Sequence, residues 1–223
     1  MAVMPTDTPT PADLAALGPF FALQERTGDG WHTLRELVVG PALDERVRYV
    51  EARLAGADIE PRVAASTMSL GLFARLVSPV IGAYVLGTPL PRPTLDGTYW
   101  RPVDGGPWPL ALTGPSGTPD PAALLPDVLD PLAAAIAARY ALSPQVLRGN
   151  VASAVFGAVG TVGTARPDLA DAARSTGAAL LAGPLAGTGG PTGPGGRFVR
   201  TSCCLYYRIP GGGYCGDCVL AHR

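Results

Sequence analysis

The chain has 223 residues, enough for one sizeable hydrophobic core with a small appended module. Hydrophobic residues make up 47% of the chain and charged residues 16%, which excludes an intrinsically disordered protein. The 17 basic and 18 acidic side chains give a net charge of −1, which excludes the clustered basic excess of a nucleic-acid-binding protein.

The first part of the chain predicts a tail followed by a helical body. Residues 1–10 are rich in Pro and Thr and predict a flexible tail, and residues 11–185 predict the body. Apolar spacing and the positions of Pro and Gly place helices at a short stretch from Pro11 and at residues 43–54, 62–77, 79–87, 121–129, 131–140, 144–162 and 167–181. Residues 97–112 instead predict a small antiparallel hairpin around Asp104-Gly105-Gly106.

Two apolar stretches, residues 66–87 and 151–165, are candidates for membrane spans. Arg75 and Pro79 interrupt the first, and the second is shorter than the roughly 20 residues of a spanning helix. We therefore expect buried core helices and no transmembrane segment. The N-terminus lacks the basic and apolar regions of a secretory signal, so we expect a cytoplasmic protein, free or peripheral to the inner face of the membrane.

The end of the chain changes in composition. Residues 186–196 are rich in Gly and Pro and predict a linker. Residues 197–223 are too few to bury a core, and pieces of this size usually need a metal or disulfide staple. The expected fold class is therefore α+β: a predominantly helical body, a small antiparallel β element and a C-terminal Cys-rich segment that binds a metal centre.

All the cysteines lie in that last segment, in the pattern C-C-x10-C-x2-C: Cys203, Cys204, Cys215 and Cys218. Pro210 and three glycines predict a chain reversal that brings the second pair back against the first. Four thiolates suit a [2Fe–2S] cluster or a structural zinc ion, the latter with a variant that uses His222. Adjacent side chains on a strand face opposite sides, so either the backbone twists at the first pair or its two sulfurs serve different irons.

The string SCCLYYRIPGGGYCGDC closely resembles the C-terminal signature of the FhuF-like ferric siderophore reductases, over residues 200–220. A weaker resemblance covers LRGNVASAVFGAV, centred on Asn150. The resemblance implies a [2Fe–2S] cluster on the four cysteines. It also implies a reductase that passes one electron to an Fe(III) hydroxamate-type siderophore and releases Fe(II) in the cytoplasm.

Other features set the expected partners and the rival interpretations. The sequence shows no dinucleotide fingerprint, so the electron must come from an external donor such as a ferredoxin or an NAD(P)H-dependent reductase. Two rival functions are a [2Fe–2S] electron-transfer protein without a chelate site and a zinc-stabilised siderophore-binding module. We predict that a cationic and aromatic surface binds the siderophore; its members are Arg200, Tyr206, Tyr207 and Arg208. The rival interpretation is that the tyrosines pack the segment onto the body while the arginines pair with Asp217 or solvent. Asn150 is expected to be a buried hydrogen-bonding residue.

Overall fold

The computed structural model describes residues 9–54, 59–192 and 196–222, with the side chain of residue 222 outside that description. In these residues the α-helices are α1 (Pro11–Ala16), α2 (Leu34–Val39), α3 (Ala42–Arg53), α4 (Pro61–Leu86), α5 (Asp130–Tyr140), α6 (Pro144–Ala165) and α7 (Ala170–Ala182). A π-helical turn (Leu125–Leu129) precedes α5, and short 3-10 turns lie at Pro167–Leu169, Tyr206–Arg208 and Val219–His222. The predicted helical body is confirmed.

Local sequence signals set the ends of these helices. Thr10 and Thr33 each form a capping box at the start of α1 and α2, satisfying backbone N–H groups that have no partner within the helix. Ser143 caps α6, and Pro144 occupies its first turn, where the missing N–H is not needed. Gly87 ends α4 in the left-handed conformation, with φ 77°.

The predicted break at Pro79 is wrong, because α4 continues through it as one helix of 26 residues. Every residue from Leu76 to Ala83 is buried, so packing on all sides outweighs the backbone hydrogen bond that a proline removes. Arg75, in the same helix, is 4% exposed and donates to the carbonyls of Phe20, Ala22 and Trp108. Burial lowers the pKa of Arg75 to about 10, which leaves it charged at neutral pH.

α4 and α6 are long and apolar enough to cross a membrane by length and composition. In the structure, 72% of the most apolar window of α4 and 56% of that of α6 are buried. Core helices of folded proteins pass the same length and composition test, so this finding is weak evidence for a span. Here the two helices pack against each other as the centre of the body.

The strands form three small sheets in the part of the chain that the structure describes. They are β1 (His32–Thr33), β2 (Leu90–Pro91), β3 (Thr98–Trp100), β4 (Leu110–Leu112), β5 (Ser116–Gly117), β6 (Gly189–Thr192) and β7 (Arg197–Arg200). The sheets have the orders β1-β3-β4, β2-β5 and β6-β7, and every pairing is antiparallel. The hairpin predicted at residues 97–112 is β3–β4, and the α+β fold class is confirmed.

The predicted linker is in part a strand, which corrects the sequence-based prediction. β6 lies inside residues 186–196 and pairs with β7, with Gly189 opposite Arg200 and Gly190 opposite Val199. A Cβ on Gly189 would lie 2.4 Å from the ring of Phe198 and 2.6 Å from the carbonyl oxygen of Val199. This glycine therefore permits a close approach between strands, whereas the Gly- and Pro-rich composition of residues 186–196 suggested only flexibility.

The β6–β7 hairpin is held to the body by an aromatic pair. Phe198 of β7 stacks on Phe156 of α6, with ring centroids 4.3 Å apart and an interplanar angle of 3°. Stacking of aromatic rings contributes about 0.5–1.5 kcal/mol beyond the burial of the rings. The start of the C-terminal segment is thereby fixed against the central helix pair.

We predict that Gly189→Ala destabilises the protein by about 1–3 kcal/mol, because the added methyl group overlaps Phe198 and the β7 backbone. Gly190→Ala is the matched control, since a Cβ at that position meets nothing within 4 Å. Thermal unfolding measures both variants, and Gly189→Ala should lower Tm by several degrees relative to Gly190→Ala. Equal Tm values would show that the hairpin does not have this close packing.

Candidate metal centre

The chain reversal brings two of the four cysteines into contact. Cys204 Sγ and Cys215 Sγ lie 3.4 Å apart, near the separation of about 3.8 Å expected for two thiolates on one tetrahedral metal with bonds of about 2.3 Å. Cys204 and Cys218 are buried, whereas Cys203 and Cys215 are partly exposed, and no disulfide joins any of the four. The predicted reversal at Pro210 is confirmed for Cys215.

The backbone turns sharply after the adjacent pair. Leu205 adopts the left-handed conformation with φ 68°, and its N–H donates to Cys203 Sγ at 3.3 Å. Cys203 and Cys204 differ in burial, as expected of neighbours that face different sides. The N–H of Leu220 likewise donates to Cys218 Sγ at 3.4 Å. Such N–H···S bonds favour thiolates and tune the potential of a metal centre.

A sulfur–sulfur hydrogen bond joins Cys204 and Cys215. This hydrogen bond is the main reason why the pKa of Cys204 falls to about 7. The same contact, together with burial, raises the pKa of Cys215. Metal ligation requires thiolates, so binding of a metal to these cysteines releases protons.

A buried polar network joins the cysteine segment to the two central helices. Ser66 Oγ of α4 donates to the Cys204 carbonyl at 2.7 Å. Asn150 of α6 is fully buried and donates to the Ser66 carbonyl at 3.1 Å and to Ser69 Oγ at 2.8 Å. Arg200 Nη2 donates to Asn150 Oδ1. The expected buried role of Asn150 is confirmed, and the sequence signal for its partners is the pair of serines three residues apart in an apolar helix.

Arg200 lies inside the protein, beneath the cysteine segment. Its side chain is 1% exposed, its Nη2 also donates to the Val146 carbonyl at 3.2 Å, and its backbone N–H donates to the Asp217 carbonyl. In the described part of the chain, its Nε and Nη1 have no hydrogen-bond partner. A siderophore at the protein surface does not reach this guanidinium, so the structure gives Arg200 a buried position where the sequence suggested a surface contact.

The other three predicted substrate residues form the 3-10 turn at Tyr206–Arg208. Tyr207 is 43% exposed, and Arg208 pairs with Glu60 just before α4. This pairing joins the turn to the body, whereas the rival interpretation expected the arginines to pair with Asp217 or solvent. Asp217 instead accepts a hydrogen bond from Ser153 of α6. Contact of Tyr206, Tyr207 and Arg208 with a siderophore stays a prediction.

A groove of about 620 Å³ runs beside the cysteine segment. Its wall includes Gly216 and Asp217, the two residues between Cys215 and Cys218. It is also lined by apolar side chains of α6, α7 and the β6–β7 hairpin and by Arg174 and Arg197. A larger cavity of about 760 Å³ lies at the stacked rings of Trp100 and Trp108, but none of its lining residues comes from the cysteine segment.

The donor set of the segment fits a two-iron cluster. Within the described residues, no three or more His, Cys, Asp and Glu side chains are gathered closely enough to hold one metal ion. A [2Fe–2S] cluster needs only two thiolates at each iron, and the close Cys204–Cys215 pair meets that requirement for one of the two irons. A structural zinc site needs four ligands at one ion. The zinc variant with His222 lies outside the described residues, because that side chain is not described.

Comparison with known families gives one match. Residues 200–220, which contain all four cysteines, match the family described as FhuF 2Fe-2S C-terminal domain. A comparison with curated proteins found no match. The resemblance of the motif to the FhuF-like family is confirmed, and the segment carries a [2Fe–2S] cluster. The match supports an iron–sulfur protein with a role connected to siderophores.

We predict that Asn150→Ala destabilises the protein by about 1–3 kcal/mol, because it removes partners from Arg200, Ser66 and Ser69 in the interior. Thr161→Ala is the control on the same helix, since Thr161 is exposed and bonds only to a carbonyl of its own helix. Thermal unfolding and iron content after anaerobic purification measure the effect. Wild-type values for both variants would show that the network does not hold the segment.

Proposed function

We propose that the protein is a ferric siderophore reductase, which reduces an Fe(III) hydroxamate-type siderophore by one electron and releases Fe(II) in the cytoplasm. The observation that supports this most is the FhuF [2Fe–2S] match on a segment that docks beside a groove of ligand size. When bound, the cluster supplies one electron, and the Fe(III) of the substrate becomes Fe(II). Hard oxygen ligands hold the softer Fe(II) less well, so the metal dissociates.

Each turnover consumes one electron from an external donor. The sequence shows no dinucleotide-binding fingerprint, so the electron comes from a separate protein. We propose a ferredoxin or an NAD(P)H-dependent reductase as that donor. Cys203 and Cys215 are the partly exposed ligands. They offer the shorter routes from solvent to the centre, while the buried pair faces the body.

The groove beside the cysteine segment is the proposed siderophore site. Its volume of about 620 Å³ lies in the range of about 300–1,000 Å³ usual for small-molecule sites. Gly216 and Asp217 in its wall each adjoin a cluster ligand, and consecutive Cα atoms are about 3.8 Å apart. A chelate in this groove therefore lies next to the metal centre. Its apolar lining suits the methylene chains that link hydroxamate groups.

The two rival functions differ in what they require of the body. A plain electron carrier needs no ligand-sized groove at its cluster, and the groove therefore favours the reductase. A zinc-stabilised binding module would hold a zinc ion at the cysteines, whereas the family that matches this segment is described as a 2Fe-2S domain. Tight binding of a ferric siderophore separates a reductase from a carrier, and visible absorption separates iron–sulfur from zinc.

The test of the reductase activity is a single-turnover experiment on anaerobically purified protein. Iron and acid-labile sulfide are assayed, the protein is reduced with dithionite, and excess reductant is removed. Addition of a ferric hydroxamate should abolish the EPR signal of the reduced protein and release one Fe(II) per chain to a ferrous-specific chelator. Cys204→Ser, which lacks a ligand, is the control. A signal that persists, with no Fe(II) release, would contradict the proposal.

We predict that Gly160→Phe raises the KM for the siderophore about tenfold or more, because the new ring occupies the groove. Gly160 is exposed in the groove wall, and a Cβ there meets nothing within 4 Å, so the fold accepts the change. Thr164→Phe, one turn further along α6 and exposed, is the matched control. Initial rates with dithionite as donor measure both variants, with visible spectra to check the cluster.

A second variant separates the groove from the 3-10 turn. Arg208→Ala removes an exposed cation that pairs with Glu60, and Arg62→Ala removes the other cation on the same carboxylate. With the siderophore in the groove, Gly160→Phe alone raises KM. An increase for Arg208→Ala, but not for Arg62→Ala or Gly160→Phe, would place the siderophore at the turn instead.

A further inference from the structure

Arg200 is a buried cation without a buried anion. It is the largest of the fully buried side chains, and none of the ion pairs in the described residues includes it. Its Nη2 bonds only to neutral groups, the Val146 carbonyl and the Asn150 amide oxygen. Burial of an uncompensated charge is strongly unfavourable because the charge loses its hydration, so a position of this kind needs a negative partner.

The guanidinium also has donors to spare. Nε and Nη1 are buried and without a hydrogen-bond partner in the described chain. Buried donors left unpaired are rare in proteins, because each gives up its hydrogen bonds to water without gaining others. The same side chain therefore lacks both a counter-charge and two acceptors.

Its surroundings point to where the acceptors come from. The backbone N–H of Arg200 donates to the carbonyl of Asp217, the residue before Cys218. On the other side, Asn150 and Ser66 connect its Nη2 to the carbonyl of Cys204. Arg200 thus lies between the segments that carry the two buried cysteines.

Gly149 of α6 keeps the guanidinium at this position. A Cβ on Gly149 would lie 2.7 Å from Arg200 Nη2 and 2.3 Å from Ser202 Oγ. The helix therefore leaves room for the guanidinium only because this residue has no side chain. A packed and hydrogen-bonded arginine of this kind is preorganised, whereas a surface arginine is mobile and screened by solvent.

We propose that Arg200 is the counter-charge of the [2Fe–2S] cluster and that its spare N–H groups donate to sulfur atoms of the cluster and its thiolates. The cluster with its four thiolates is an anion, and reduction adds one further negative charge. A fixed cation and N–H···S bonds stabilise the reduced form more than the oxidised form, so Arg200 raises the reduction potential. This assignment rests on the cluster and is independent of which substrate the protein reduces.

The test is a redox titration of the holoprotein, followed by EPR at fixed pH and ionic strength. Arg200→Gln removes the charge and should shift the one-electron equilibrium at least tenfold toward the oxidised form, a potential about 59 mV lower. Arg200→Lys keeps the charge and should shift it less. The control is Arg166→Gln at the C-terminal end of α6, where the arginine is exposed and pairs with Asp168, and its shift should stay below threefold. If Arg200→Gln keeps its cluster and the one-electron equilibrium shifts less than threefold, the proposal is overturned.

A second measurement uses the wild-type protein and does not depend on whether the Arg200 variants fold. Wild-type protein with ¹⁵N in the arginine guanidinium groups is reduced and studied by pulsed EPR. A ¹⁵N coupling to the cluster is expected, and it should persist in Arg197→Gln. Absence of any coupling in the wild-type protein would overturn the donation of N–H groups to sulfur. Activity with a siderophore enters neither readout, so failure of the proposed reductase function is a separate result.

Discussion

The structure depends on one constraint, the burial of a guanidinium where three parts of the chain meet. Arg200 comes from the strand that leads into the cysteines, Asn150 from one central helix and Ser66 from the other. A charge in the interior is stable only when its surroundings supply acceptors and a counter-charge. The apolar helices α4 and α6 therefore carry polar residues, Ser66 and Asn150, where they meet Arg200. Gly149 is needed at the same place because a side chain there would overlap the guanidinium.

The same junction explains how a small metal-binding segment can be ordered. Residues 197–222 are too few to bury a core of their own, and they use the core of the body instead. Phe198 stacks on Phe156 of α6, and Cys204, Ile209 and Cys218 are buried after it. Two anchors, the aromatic stack and the polar network, hold the segment at separate points. The cysteines are thus supported by rigid helices, which a redox centre needs if its geometry is to change little with each electron.

Placement of the centre at the edge of the body decides which surfaces can take part in electron transfer. One side of the cysteine segment faces the interior through Cys204 and Cys218, and the other offers Cys203 and Cys215 to solvent. The groove along α6 reaches the turn between Cys215 and Cys218, whereas the larger cavity at the stacked tryptophans does not. In the proposed reductase, the siderophore therefore approaches the segment along α6, and the electron donor approaches it at the partly exposed cysteines.

The sequence by itself determined the helical body, the hairpin at residues 97–112 and the cluster motif, because apolar spacing, turn residues and cysteine spacing are local signals. Tertiary structure decided the rest. Packing carried α4 through Pro79, and strand pairing turned part of a glycine-rich stretch into β6. Arg200 has the sequence features of a surface cation, and only the approach of α4 and α6 makes it a buried one. Burial and pairing between distant residues are properties of the assembled fold, and a local pattern of residue types does not contain them.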